Sequence, residues 1–203
     1  RLDRDTSGCL AVAKSDAAHR GLVRQFTERG VGKIYLAITA GVPKPPSGRL
    51  EANIGRNPLN RKFHAVLKSG GRPSLTLYRT RENYGSLALV ECELKTGRTH
   101  QARVHLAHLG APVLCDRDYG GRADFTAGDL ELALWLYRHG PPAPAWAGGG
   151  AVLLDRQALH AWRLSFDHPL SGRRLAFEAP VPADMLAVLK PLREVFSRIA
   201  NPH

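Results

Sequence analysis

Cysteine is scarce in this chain. Only three occur in 203 residues, Cys9, Cys92 and Cys115. They are odd in number, far apart, and form no CxxC pair. That argues against a disulfide framework and a zinc knuckle, and reduced thiols in a cytoplasmic protein are the simplest expectation. No apolar run approaches the ~20 residues of a membrane-spanning helix, so no membrane partner is expected. No signal peptide is visible from Arg1 onward, although a targeting segment further upstream would escape notice. There is no internal repeat and no charge block long enough to mark a disordered tail. Acid is in short supply too. Asp and Glu total 18 against 29 Lys and Arg, a formal charge of +11 and a pI near 10.1. Such a surplus favours a polyanionic partner, nucleic acid first, though charge alone also suits ribosomal or membrane-surface association. Hydrophobic residues at 43% and charged residues at 23% are an ordinary globular mix, with length for one substantial core or two small ones.

What is present is densest at the start. Arg1-Leu2-Asp3-Arg4-Asp5-Thr6-Ser7-Gly8 packs two cations, two carboxylates, two hydroxyls and a glycine ahead of the apolar run Cys9 to Ala13. That is how a loop carrying chemistry reads when it feeds a buried strand. Positive neighbours favour the anionic form of a carboxylate, which can act as nucleophile or base. A charged turn with Asp5, Thr6 and Ser7 bonded to the local backbone fits the same residues.

Further along, Ser15-Asp16 can cap a helix from about Ala17 to Arg29, with Leu22, Val23 and Phe26 as its apolar stripe and Gly30 as its stop. Gly32 to Gly41 alternates like a strand and carries Tyr35. Leu50 to Ile54 is a short strand, followed by the basic turn Gly55 to Lys62, whose Arg56, Arg61 and Lys62 suit phosphate contacts. Leu75 to Tyr78 and Leu87 to Leu94 read as antiparallel strands. In the segment Leu94 to Gly110, Thr99 can cap a helix that Gly110 ends. His100, Arg103 and Ala107 share one face of it. Of its histidines only His105 and His108 have ligand spacing, with no carboxylate nearby, so no metal is expected. Residues 122–152, with Pro141-Pro142-Ala143-Pro144 and Gly148 to Gly150, read as a flexible surface insertion around a helix from Leu130 to Tyr137. A hairpin follows, Trp162 to Phe166 and Arg174 to Glu178, then an amphipathic helix from Met185 to about Ile199 on the outside.

Four of these segments, in this order, resemble RluA-type RNA pseudouridine synthases. RLDRDTSG is similar to the family's HRLD-x-x-T-S/T-G. Lys33 to Gly41 resembles K-x-Y-x-A-x-x-x-G, and Thr96 to Gly110 resembles T-G-R-T/S-H-Q-I/L-R-V-H-x-x-x-x-G. Arg156 to Met185 resembles R-Q-x-L-H-A through to the P-x-P-x-D-M ending. The segments Ile54 to Lys62 and Pro112 to Gly120 also match, except that Cys115 stands where the family commonly has Gly. Ala102 likewise replaces a larger Ile or Leu.

The resemblance implies an α+β fold, a central mixed or antiparallel sheet flanked by helices and loops, in a single catalytic domain over residues 1–203. It implies isomerisation of uridine to pseudouridine in ribosomal or transfer RNA, without metal or cofactor. Asp3 is then the essential carboxylate, Arg103 its cationic partner, and Tyr35 the platform beneath the base. Arg1, Arg4, Arg98, His100 and Gln101 join Arg56, Arg61 and Lys62 as expected RNA contacts. The Arg156 segment is expected to place the Arg103 segment. The family's His before Arg1 would fall upstream, so the chain is expected to begin inside its catalytic domain, and to act as a monomer. Two other readings stay open: an inactive RNA-binding module of the same fold, and a hydrolase using Asp3 and Asp5 as paired carboxylates.

Overall fold

The structure is a computed structural model. It describes residues 1–143, 145 and 148–200, the last three by backbone alone, so Pro144 of the proline-rich run and the Ile199 side chain lie outside the described residues. The strands are β1 (Ser7–Gly8), β2 (Gly32–Ala40), β3 (Ser47–Arg56), β4 (His64–Leu67), β5 (Arg72–Asn83), β6 (Leu87–Leu94), β7 (Phe125–Thr126), β8 (Val152–Leu154), β9 (Leu159–Asp167) and β10 (Arg174–Glu178). The helices are α1 (Asp16–Thr27), α2 (Gln101–His108), α3 (Ala127–His139) and α4 (Ala183–Ala200). One sheet runs β1-β9-β2-β6-β5-β3-β4, with β10 also on β9, and β7 pairs β8 separately. The sheet is mixed: β1 lies parallel to β9 and the other pairings are antiparallel. The α+β expectation holds.

β2 and β6 are central because their sequences suit burial on both faces. Leu36 to Thr39 and Leu87 to Val90 are all buried, the pattern of a strand covered on two sides. Their side chains merge with Leu106 of α2 and with Met185, Val188, Leu189 and Leu192 of α4 in one core. The last helix is therefore a core element rather than an outer one, since those four residues are 0–1% exposed. The same correction applies to part of the expected insertion. Phe125, Leu130 and Ala133 join the main core, and Thr126 and Asp129 form a capping box that starts α3. Among the described residues, the surface reading holds for 122–124 and for 141–143, 145 and 148–152, all exposed.

The expected buried strand Cys9 to Ala13 does not form. Leu10 is 58% and Val12 76% exposed. β1 stops after two residues because Gly8, at φ +114°, turns the chain out against Ala161, where a Cβ would sit 2.2 Å from the Ala161 oxygen. α1 is capped by Ser15 as expected, but of its apolar stripe only Leu22 is buried. Residues Ser47 to Leu67 make a longer hairpin, β3–β4, than the short strand read from sequence. Thr99 does not cap α2. His100 occupies that position in the left-handed region, φ 55°, with no side-chain cap.

Candidate active site

Asp3 opens a tight turn, in which the Thr6 amide donates to the Asp3 carbonyl at 3.1 Å. Asp5 takes φ 66° in it, a position that short polar side chains tolerate better than most. The turn is held from outside. The Gln157 amide donates to the Arg4 carbonyl at 2.9 Å and to Thr6 Oγ1 at 2.6 Å. Arg156 donates to the Asp5 carbonyl at 3.0 Å, and Asp184 fixes Arg156 through two bonds of 2.6 and 2.9 Å. Below, Ser7 Oγ bonds His160 Nδ1 at 2.9 Å, and His160 Nε2 lies 3.2 Å from the Ala179 carbonyl. With Nε2 donating to that carbonyl, Nδ1 accepts from the hydroxyl, and burial keeps this imidazole below its usual range. The Arg156 segment thus holds the Asp3 turn, not the Arg103 segment as expected.

Arg103 faces Asp3 across the site, with Nη1 3.9 Å from Asp3 Oδ2. That is a Coulombic contact, too long for a hydrogen bond. Its firm partners are others. Nε and Nη2 each donate to Asp116 at 2.7 Å, and Nη2 also reaches Asp118 at 2.8 Å. Asp116 is fully buried and accepts from the Asp118 and Tyr119 amides as well. A buried guanidinium gripped by two carboxylates is fixed in place, and its Nη1 is thereby aimed at Asp3. The expected pairing of Arg103 with Asp3 is present as an ion pair, and its hydrogen bonds go to Asp116 and Asp118. Sequence reading did not single out Asp116 and Asp118 as partners of Arg103, although their motif was visible.

Tyr35 sits on β2 where the pairing to β9 slips: Ile34 faces Arg163 and Tyr35 faces Ala161. Such a bulge re-aims a side chain. Burial, then the Asp3 charge, then Cys9 push the Tyr35 phenol up to about 12, so it stays neutral at ordinary pH. Lys33, two residues earlier, lies on the same face, and burial with Arg29 and Arg98 lowers its amine. Asp3, Thr6, Lys33, Tyr35, Arg98 and His100 line a cavity of about 190 Å³ that also touches Arg1. Drug-sized sites run ~300–1,000 Å³, so this one suits a single small ring.

His100 is held by Tyr119. The Tyr119 oxygen accepts from the His64 amide at 3.1 Å and lies 3.0 Å from His100 Nδ1. With the phenol donating to Nδ1, the His100 proton sits on Nε2. Burial and then Arg103 lower the His100 pKa. Gln101 is a correction. It is 2% exposed, and its amide is fully used: Nε2 donates to Leu75 O and Thr76 Oγ1, and Oε1 accepts from Thr96 Oγ1 and the Arg98 amide. No capacity is left for RNA. Arg56 bonds the Arg61 and Lys62 carbonyls and shapes the basic turn, with Arg61 and Lys62 exposed. Arg4 is exposed beside Asp5. Among the described residues no group of metal-ligating side chains is suitably placed.

A carboxylate opposite a fixed guanidinium, beside a neutral tyrosine in a ring-sized cavity with cationic walls, can take a flat ring carried on an anionic chain. The family model described as RNA pseudouridylate synthase matches residues 1–108. The chain belongs to that family. It is 42% identical over 193 residues to a protein named ribosomal large subunit pseudouridine synthase D from Neisseria meningitidis, covering 95% of this chain and 47% of that one. It is 40% identical over 203 residues to the protein of the same name from Nitrosomonas europaea, covering 100% and 53%. The chain thus spans about half the length of these relatives. The solved structure of human RNA pseudouridylate synthase domain containing 4 superposes with a TM-score of 0.69 at 25% identity, covering 95% of this chain and 74% of that one.

Proposed function

We propose that this chain converts uridine to pseudouridine in RNA, with Asp3 as the essential carboxylate. The observation that carries the reading is Asp3 sharing one small cavity with Tyr35 while Arg103 Nη1 stands 3.9 Å from its carboxylate. The reaction breaks the N1–C1′ bond, turns the uracil and joins C5 to C1′. N1 gains a proton and C5 loses one, so no electron acceptor is required. Tyr35 offers a flat face for the base, and stacking of this kind is worth ~1–3 kcal/mol. The base reaches it by leaving its stack. Arg103 Nη1 stands 3.9 Å from Asp3 Oδ2 without hydrogen-bonding it, which leaves the carboxylate oxygens free to act.

The relatives named for the large ribosomal subunit favour ribosomal over transfer RNA as substrate. The reading takes residues 1–203 as a single catalytic domain working as a monomer in the cytoplasm, where three unpaired cysteines are at home. The test is tritium release from RNA labelled at uridine C5, using ribosomal and transfer RNA transcripts. Release that vanishes with Asp3→Asn supports the synthase. RNA binding with no release on any transcript would establish the inactive binding module instead.

A further inference from the structure

Beside the base cavity lies a second one of about 350 Å³, on the other side of the segment Gly97-Arg98-Thr99, which lines both. Its cationic walls come from three separate places in the chain: Arg56 at the end of β3, Arg72 at the start of β5, and Arg98 before α2. Gly55, Gly71 and Gly97 supply backbone between them. The close approach there is enforced. A Cβ on Gly71 would lie 2.8 Å from the Ile54 oxygen, and one on Gly55 2.6 Å from Leu67 Cδ1.

The charges in this cleft are uncompensated. Among the described residues none of Arg56, Arg72 and Arg98 lies within 4.0 Å of a carboxylate oxygen. Elsewhere the protein pairs its arginines freely, as at Arg79, Arg81, Arg163 and Arg193. Two of the three are tied down without being neutralised. Arg98 Nε donates to the Pro73 carbonyl at 2.9 Å, which leaves both terminal nitrogens free, and Arg56 bonds carbonyls of its own turn. Burial, and then the neighbouring charges of Arg72 and Arg29, lower the Arg98 pKa. Gathering cations without counter-charge is unfavourable unless an anion fills the gap. Planar guanidinium forks fit phosphate oxygens in particular.

Taking Asp3 and its cavity as the site of an RNA-modifying enzyme, we propose that the Arg56–Arg72–Arg98 cleft is a phosphodiester subsite. It holds the backbone of the RNA strand as that strand leaves the base cavity over Gly97 to Thr99. Arg72 is the residue added here: it lies far in sequence from the catalytic motifs, is exposed, and has no hydrogen-bonding partner for its guanidinium among the described residues.

The test is a salt titration of binding, with a fluorescein-labelled single-stranded oligouridylate as probe and the Asp3→Asn protein as parent, so that turnover does not intervene. Each single-strand phosphate contact adds about 0.7 to the slope of log K against log salt. Arg72→Gln should lower the slope by about that much, so that its deficit against the parent shrinks about threefold between ~50 and ~200 mM salt. Arg98→Gln should do the same, and Arg72→Lys should restore most of the slope. Arg138→Gln, on the exposed side of α3, should leave it unchanged. Unaltered slopes for Arg72→Gln and Arg98→Gln would overturn the subsite, and so would an equal fall for Arg138→Gln. If tritium release fails with the wild type while these slopes change as expected, the cleft stands and the synthase reading falls.

Discussion

Replacing Arg156 by lysine separates holding the catalytic turn from merely stabilising the fold. Lysine keeps the positive charge but loses the rigid fork that joins two Asp184 oxygens to the Asp5 carbonyl. The Arg156 and Asp184 side chains are 18% and 30% exposed, so the lost charge-assisted bonds are worth about 1–3 kcal/mol after partial solvation. For a domain of this size that lowers Tm by about 3–10 °C. The catalytic effect should be disproportionate, because a displacement of about 1 Å in a reacting group costs ~10²-fold in rate. The Asp5 carbonyl lies two residues from Asp3 and inside the same turn. Single-turnover tritium release at 25 °C, well below the melting point, should therefore fall about 10- to 100-fold, with kcat and kcat/KM falling together. Glu178→Gln, which opens the exposed Arg163 pair on neighbouring strands, should leave both rate and Tm in place. If Arg156→Lys keeps the wild-type rate while Tm drops, the reasoning is wrong and this contact is structural support only.

Three further outcomes are expected. Burial, with a minor contribution from His108, lowers His105 to about 4, and its ring nitrogens already bond Ser74 and Thr76. The unfolded chain takes up a proton near pH 6.5 and the folded one does not, so stability is complete above that pH. It declines as pH falls from 6.5 towards 4, by up to about 3 kcal/mol from this group, and urea midpoints at pH 7, 5.5 and 4.5 check it. Cys115 is buried at φ 58°, so Cys115→Gly should change stability by less than ~1 kcal/mol, relief of backbone strain offsetting lost packing. Cys115→Val should destabilise by ~2 kcal/mol or more, as a branched side chain is worst in that conformation. Finally, burial pushes the Cys92 and Cys115 thiols up to about 12, so iodoacetamide should label the native protein at Cys9 alone and the unfolded protein at all three.

The candidate catalytic residues were legible because the proposed chemistry needs particular side chains at short spacings. Asp3, Tyr35 and Arg103 sit in compact motifs; the structure puts Asp3 and Tyr35 in one cavity and sets Arg103 3.9 Å from Asp3. Their supports were less legible. Asp184 and Gln157 act on the first turn from more than 150 residues away, and no local pattern marks such a contact. Strand and helix order came through wherever alternation or capping was strong, as in β2, β6 and α1. Reading failed where tertiary packing overrode composition. Cys9 to Ala13 is apolar yet lies outside the sheet because Gly8 turns the chain away, and Gln101 looks like a polar contact yet closes a buried network. The Pro- and Gly-rich stretch hid the fact that α3, just before it, belongs to the core.

The parallel pairing of β1 with β9 ties the start of this chain to its last third, and synthesis gives that a temporal meaning. Asp5 emerges 151 residues before Arg156. At ~5–20 residues per second that is an interval of about 10–30 s in which the catalytic turn exists without its clamp. The aspartate is thus made well before the residues that aim it. A nascent or C-terminally clipped chain can hold its central strands together and still lack a working site, so activity reports on the completeness of the chain and not only on its folding.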